Sequence, residues 1–130
     1  MKIIHASGRR KSAIARATLK EGKGIVRINS QNLEIYSPKM YQMKIKEPLL
    51  LAQDTVNKVN ISINVKGGGQ SSQADASRLA IGKALVQLQP SLKKIFLNYD
   101  RTLIVADIRV KEQYKPNDSK ARAARQKSYR

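Results

Sequence analysis

The apolar positions change period several times along the chain, and each change marks an element. Across residues 12–20, Ala13, Ala15, Ala17 and Leu19 alternate with Ser12, Arg16, Thr18 and Lys20, the period of a strand buried on one face. Ile14 interrupts the polar side, which implies that this face is partly covered. Glu21-Gly22-Lys23-Gly24 has the length and glycines of a hairpin turn, so Ile25-Val26-Arg27-Ile28 is expected as the returning strand. Asn29-Ser30-Gln31-Asn32 is a turn cluster. Residues 60–66 alternate strictly, with Ile61, Ile63 and Val65 on one side and Asn60, Ser62, Asn64 and Lys66 on the other.

Helical spacing follows. Three glycines, Gly67 to Gly69, end the strand, and Ser72 with Asp75 three residues on resembles a capping box. Ala74, Ile81, Ala84, Leu85 and Leu88 then form an apolar stripe, with Arg78 and Lys83 off it. Pro90 sets the end, and residues 92–97 suit a second, shorter helix. Upstream, Ser37-Pro38 signals a short helix over residues 38–43, and Pro48 another that carries Leu49, Leu50 and Leu51 inward. Thr102-Leu103-Ile104-Val105-Ala106 is continuously apolar, as an interior strand would be. Strands first and strand–helix alternation later predict an α/β fold, a two-layer sandwich. The pattern divides the chain into a globular domain, 1–108, and a polar tail, 109–130.

Charge changes the picture more than length does. The 130 residues hold 26 Lys plus Arg against 9 Asp plus Glu, a net charge of +17. That excess points to a polyanionic partner, with nucleic acid first and a membrane surface or an acidic protein also open. With 41% hydrophobic residues the chain is too apolar to be a wholly disordered basic tail. No apolar run is longer than that of Leu49-Leu50-Leu51-Ala52, far short of the roughly 20 residues of a membrane span. Met1-Lys2-Ile3-Ile4-His5 lacks the apolar stretch of a secretory signal. Without cysteine there is no disulfide or thiolate zinc site, and a lone histidine, His5, cannot make a His-rich metal centre. A Ser-His-Asp triad would have to run through His5, and the acids show no pairing suited to general acid–base work. Apart from what the glycine loop leaves open, no cofactor and no metal are expected.

Three constellations carry candidate chemistry. Lys66, Gly67, Gly68, Gly69, Ser71 and Ser72 lie between strand and helix, where backbone N–H groups and the helix dipole favour a phosphate. The loop lacks both common nucleotide-binding spacings, so a plain strand-to-helix turn, a polynucleotide phosphate and a nucleotide cofactor all remain open. Gly8-Arg9-Arg10-Lys11-Ser12, continuing to Arg16 and Lys20, is basic and free of acid; it is either a phosphate-contacting run or a solvated strand edge that resists aggregation. Within the tail, the last eleven residues, 120–130, hold Lys120, Arg122, Arg125, Lys127 and Arg130 with Tyr129 and no acid. Arginine grips phosphate with a planar fork, and tyrosine offers a stacking face. The bland alternative is a disordered solubilising tail.

At this point the residues resemble a known family. Gly69, Gln73, Ala76, Ala80, Gly82, Lys83, Ala84 and Leu85 occupy the places of the signature of the S-nine family of small-subunit ribosomal proteins. The opening 8–17, Tyr99-Asp100-Arg101 and the closing Arg125-Gln126-Lys127-Ser128-Tyr129-Arg130 are similar to the family as well, so the resemblance covers nearly the whole chain. The Lys-Ser-Tyr-Arg ending and short lead-in resemble an archaeal-type member. The resemblance implies the two-layer sandwich of the second domain of ribosomal protein S-five, with a left-handed crossover and an extended C-terminal tail. It implies no enzyme and no small-molecule substrate, but a cytoplasmic protein of the small-subunit head. Its partners would be rRNA, the peptidyl-site tRNA and neighbouring head proteins. Arg9, Arg10, Lys11, Arg16, Lys66, the glycine loop with Ser71 and Ser72, Arg78, Arg109, Lys120, Arg122 and Arg125 would contact rRNA. Lys127, Tyr129 and Arg130 would reach the tRNA.

Two other classes compete. A phosphate-ester enzyme would need a metal-binding acid and a base near the glycine loop, where Asp75 is the sole support. A DNA-compacting basic protein would bind duplex DNA and structured RNA alike.

Overall fold

The computed structural model describes residues 3–36 and 38–109. One sheet is built from β1 (Ile4–Arg10), β2 (Ala13–Glu21), β3 (Val26–Ile28), β4 (Gln31–Asn32) and β5 (Val59–Lys66). The helices are α1 (Lys39–Ala52), α2 (Gln70–Leu88) and α3 (Leu92–Tyr99), with 3-10 turns at Leu33–Ile35, Gln53–Lys58 and Arg101–Leu103. The helices cover one sheet face and leave the other open, which is the expected two-layer α/β sandwich.

The alternations place the core as expected. Ala13, Ala15, Ala17 and Leu19 of β2 and Ile61, Ile63 and Val65 of β5 are buried, as are Ala74, Ile81, Ala84 and Leu85 of α2. β1 was not anticipated; it pairs antiparallel with β2 at the sheet edge, Arg10 opposite Ala13 and Ile4 opposite Leu19. It lies directly under α2, because Gly8 has no side chain. A Cβ there would run into the Ala76 carbonyl oxygen and come within 2.7 Å of the Ala80 nitrogen.

The sheet order is β1-β2-β5-β3-β4. The hairpin expected between β2 and β3 is therefore corrected: β5 inserts between them, antiparallel to β2 and parallel to β3. The 22–25 segment crosses over β5 instead, and the Asn60 side chain holds it there by accepting from the Lys23 and Ile25 N–H groups. Asn29 and Ser30 do form a tight turn, between β3 and β4, both at positive φ. The Asn29 amide then extends the β3–β5 ladder, donating to the Val65 carbonyl and accepting from the Val65 N–H.

Three further expectations change. The two short helices are one: α1 runs through Pro48, whose ring is buried and whose fixed φ suits a helix. Leu50 faces solvent, 73% exposed. Residues 102–106 form no strand, because the Asp100 carboxylate accepts from the Thr102 N–H and hydroxyl and curls the chain into a 3-10 turn. The capping box is absent; positive φ at Gly67 and Gly68 turns the chain straight from β5 into α2, so the helix begins at Gln70 with Gly69 as its cap.

Candidate nucleic-acid interface

The outward positions of four strands meet as rows on the open face. Arg9, Ile14 and Lys66 form one row, and Ser7, Arg16 and Asn64 the next. His5, Thr18, Ser62 and Arg27 form a third, while Lys20 sits opposite Asn60. Five cations, Arg9, Arg16, Lys20, Arg27 and Lys66, thus share this face with no acid among those rows. All five are exposed, and among the described residues none makes an ion pair. Strand spacing sets neighbouring cations about 5–10 Å apart. Such a face presents unspent positive charge over a polar floor of Ser, Thr and Asn, the chemistry of phosphate contact.

Of the expected body residues, Arg9, Arg16 and Lys66 lie here. Lys11 sits beside the face in the β1–β2 turn at positive φ, its carbonyl accepting from Arg9 Nε at 3.3 Å. Lys20 was legible as a polar-face residue. Arg27 was missed as a site residue, because its strand joins the face only through β5.

The glycine loop splits in two. Gly67 and Gly68 serve the fold, since a Cβ on Gly67 would strike the Ser12 carbonyl and one on Gly68 would stand 3.1 Å from Ala13. Gly69 is open, with no atom within 4 Å of where its Cβ would be, and Ser71 beside it is exposed while Ser72 is half-buried. The loop lies against the start of β2, so it and the basic β1–β2 turn occupy the same end of the sheet.

Arg10 and Arg78 are placed differently from their neighbours. Both are ion-paired in a cleft of about 510 Å³ that Arg9, Lys44, Glu47, Asp75, Asp100, Asp107 and Arg109 also line. Arg78 is pinned between Glu47 of α1 and Asp100, at 3.1 Å from the latter, and donates to the Thr102 hydroxyl at 3.0 Å. Burial works against the Asp100 charge, but the Thr102 donors and Arg78 outweigh it and hold the carboxyl below its usual range. Asp75 is taken by Lys44 at 3.3 Å and Arg10 at 3.8 Å. Arg109 forks onto Asp107 through Nε and Nη2, which with its N–H and Arg10 keeps the Asp107 carboxyl well below the ordinary carboxylate range. Lys120, Arg122, Arg125, Lys127, Tyr129 and Arg130 lie outside the described residues.

Among the described residues no helix is long and apolar enough to cross a membrane. The family described as "Ribosomal protein S9/S16" matches residues 8–130. The chain is 51% identical over 134 aligned positions to the small ribosomal subunit protein uS9 of Methanococcus maripaludis strain C7, covering 100% of both chains. It is 48% identical, again over 100% of both, to the protein of the same name from Methanococcus vannielii.

Proposed function

The chain belongs to the ribosomal protein S9/S16 family, a structural and non-enzymatic component of the small ribosomal subunit, and from that premise we propose that it docks on rRNA through its open sheet face and the adjoining basic end. The observation that carries this reading is the unpaired, acid-free set Arg9, Arg16, Lys20, Arg27 and Lys66 on one face. Lys11, Gly69 and Ser71 extend it, with the bare Gly69 backbone open to a phosphate. Docking of this kind follows backbone and shape and reads little base sequence.

The chain divides in function as body, 1–108, and tail, 109–130. Lys120, Arg122 and Arg125 neutralise closely packed rRNA phosphates, and Lys127, Tyr129 and Arg130 contact the backbone of the peptidyl-site tRNA. A backbone contact suits every tRNA. The protein works in the cytoplasm, in the head of the small subunit, beside other head proteins. The enzymatic alternative loses its one support, since Asp75 is engaged by Arg10 and Lys44.

The test is affinity for small-subunit head rRNA and for duplex DNA across a salt series. Arg16→Gln/Arg27→Gln/Lys66→Gln is expected to lower the slope of log affinity on log salt by about 2–2.7, at 0.7–0.9 for each phosphate contact. An unchanged slope removes the open face from the interface, and equal affinity for the two nucleic acids favours a general DNA-compacting role. Removing residues 127–130 is expected to speed tRNA dissociation from the peptidyl site while subunits still assemble; unchanged dissociation refutes the tRNA contact.

A further inference from the structure

We propose that Arg10 is a positioning residue that ties residues 107–109, the root of the C-terminal segment, to the start of α2 at the basic end of the body. Arg10 is the last residue of β1 and has the inward parity of Ile4, Ala6 and Gly8, whereas Arg9 faces outward. Its side chain is only 15% exposed. Three of its nitrogens are already committed. Nε lies 3.8 Å from the Asp75 carboxylate on α2, Nη2 3.8 Å from Asp107, and Nη1 donates to the Arg109 carbonyl at 2.9 Å. A planar fork with separate donors can join a helix and a returning chain at once; the ammonium of lysine, a point charge, matches that geometry poorly.

The tie matters because little else holds this stretch. Upstream, residues 100–103 are secured by Arg78 on Asp100 and by Leu103, whose carbonyl lies where a side chain at Gly82 would stand. After that the chain is exposed, with Ile108 87% accessible. Among the described residues, Arg10 is the one side chain from elsewhere in the fold that hydrogen-bonds or ion-pairs with residues 106–109. Asp107 braces the same point internally by holding Arg109. The tie brings the root of the tail to the end of the sheet where the β1–β2 turn and the glycine loop lie. If body and tail bind one RNA, as proposed above, an anchored root raises the effective concentration of the tail at that RNA without adding a contact. Arg10 is thereby moved from the phosphate-contacting set to the internal one.

The anchoring is a property of the free protein and is tested without RNA. The chain has no cysteine, so Ile108→Cys takes a single nitroxide label at an exposed site. With Arg10 present, relaxation enhancement is expected at the backbone amides of Asp75 and its neighbours in the first turns of α2. Arg10→Gln is expected to weaken it markedly while amide-exchange protection in the β1–β2 ladder persists; Arg10→Lys retains more of it. Should Arg10→Gln fail to fold, Asp107→Asn breaks the tie from the segment side. Undiminished enhancement in a folded Arg10→Gln or Asp107→Asn chain overturns the proposal. In the salt series, Arg10→Gln is expected to leave the rRNA slope unchanged, whereas a fall of about 0.7–0.9 identifies Arg10 as a phosphate contact and overturns it too. Failure of the wild-type protein to prefer rRNA would sink the functional reading alone and leave the label result standing.

Discussion

Replacing Gly8 by alanine forces a methyl group into the seam between β1 and α2. The new Cβ would overlap the Ala76 carbonyl oxygen, stand 2.7 Å from the Ala80 nitrogen and 3.1 Å from the Leu79 Cβ. Ordinary contact needs about 3.5–4.0 Å, so helix and strand must part by about 1 Å. The obstructing atoms are mostly helix backbone, which no rotamer change can move. A gap of about 0.5–1 Å forfeits a quarter to a half of each dispersion contact it opens, and Ala6, Ala76 and Ala80 share this seam. Overpacking of this kind costs about 1–3 kcal/mol, and rigid walls place Gly8→Ala toward the upper end. At about 4–8 °C per kcal/mol for a domain of this size, Tm falls by about 10 °C or more. Gly69→Ala is the control. Its Cβ meets nothing within 4 Å and its φ is −103°, so its cost is confined to a poorer helix cap, about 1 kcal/mol or less. Both are read by far-UV circular dichroism melts and urea titration. A Gly8→Ala chain as stable as the Gly69→Ala chain would refute the packing argument.

Arg78→Met keeps the stem but strands Glu47 and Asp100; urea titration is expected to show a loss of about 1–2 kcal/mol, below the 3–5 of a fully buried pair because those carboxylates are 33% and 39% exposed. The Asp100 carboxyl titrates lower folded than unfolded, so its stabilisation is present above its unfolded value near 3.8 and disappears as pH falls through the folded one. Acid titration of Arg78→Met should show a shallower loss below about pH 4; an identical profile would count against the Arg78–Asp100 pair. Asn29→Gly keeps the left-handed turn and removes both side-chain bonds to Val65, for a loss of about 1–2 kcal/mol and faster exchange of the Val65 amide. Unaltered exchange at Val65 would show that the amide is not needed there.

Periodicity revealed the elements that bury bulk. β2, β5 and α2 announce themselves through Ala13 to Leu19, Ile61 to Val65 and Ala74 to Leu85 because their buried residues recur at a strand or helix period. β1 is silent for the opposite reason: Gly8 is buried and Ala6 half-buried by being small enough for a helix to lie on them, and smallness carries no hydrophobic signal. The partner of β3 was misread because a turn at 21–24 is local evidence, whereas insertion of β5 is decided by pairing far along the chain. Residues 102–106 have strand composition, yet Asp100 sets the local backbone first. For the site, the identities of Arg9, Arg16 and Lys66 were legible and their assembly into rows was not, since rows require a register. Arg9 and Arg10 look equivalent in sequence; the pleat of a strand not yet recognised sends one to the open face and the other into the ion-pair cluster.

The place of β5 also bears on how the chain is made. β1–β2 and β3–β4 are each local ladders, and the two pairs touch only through β5. During synthesis, both are complete in sequence before their shared neighbour exists. Each then presents a bare inner edge, the kind of edge that pairs with other chains. Closure of the sheet waits for residues 59–66, and α2, which lies on β1, comes later still. A nascent chain stalled before residue 59 therefore holds two unjoined hairpins rather than half a domain. A strongly positive fragment in that state is protected from self-association more by charge than by structure.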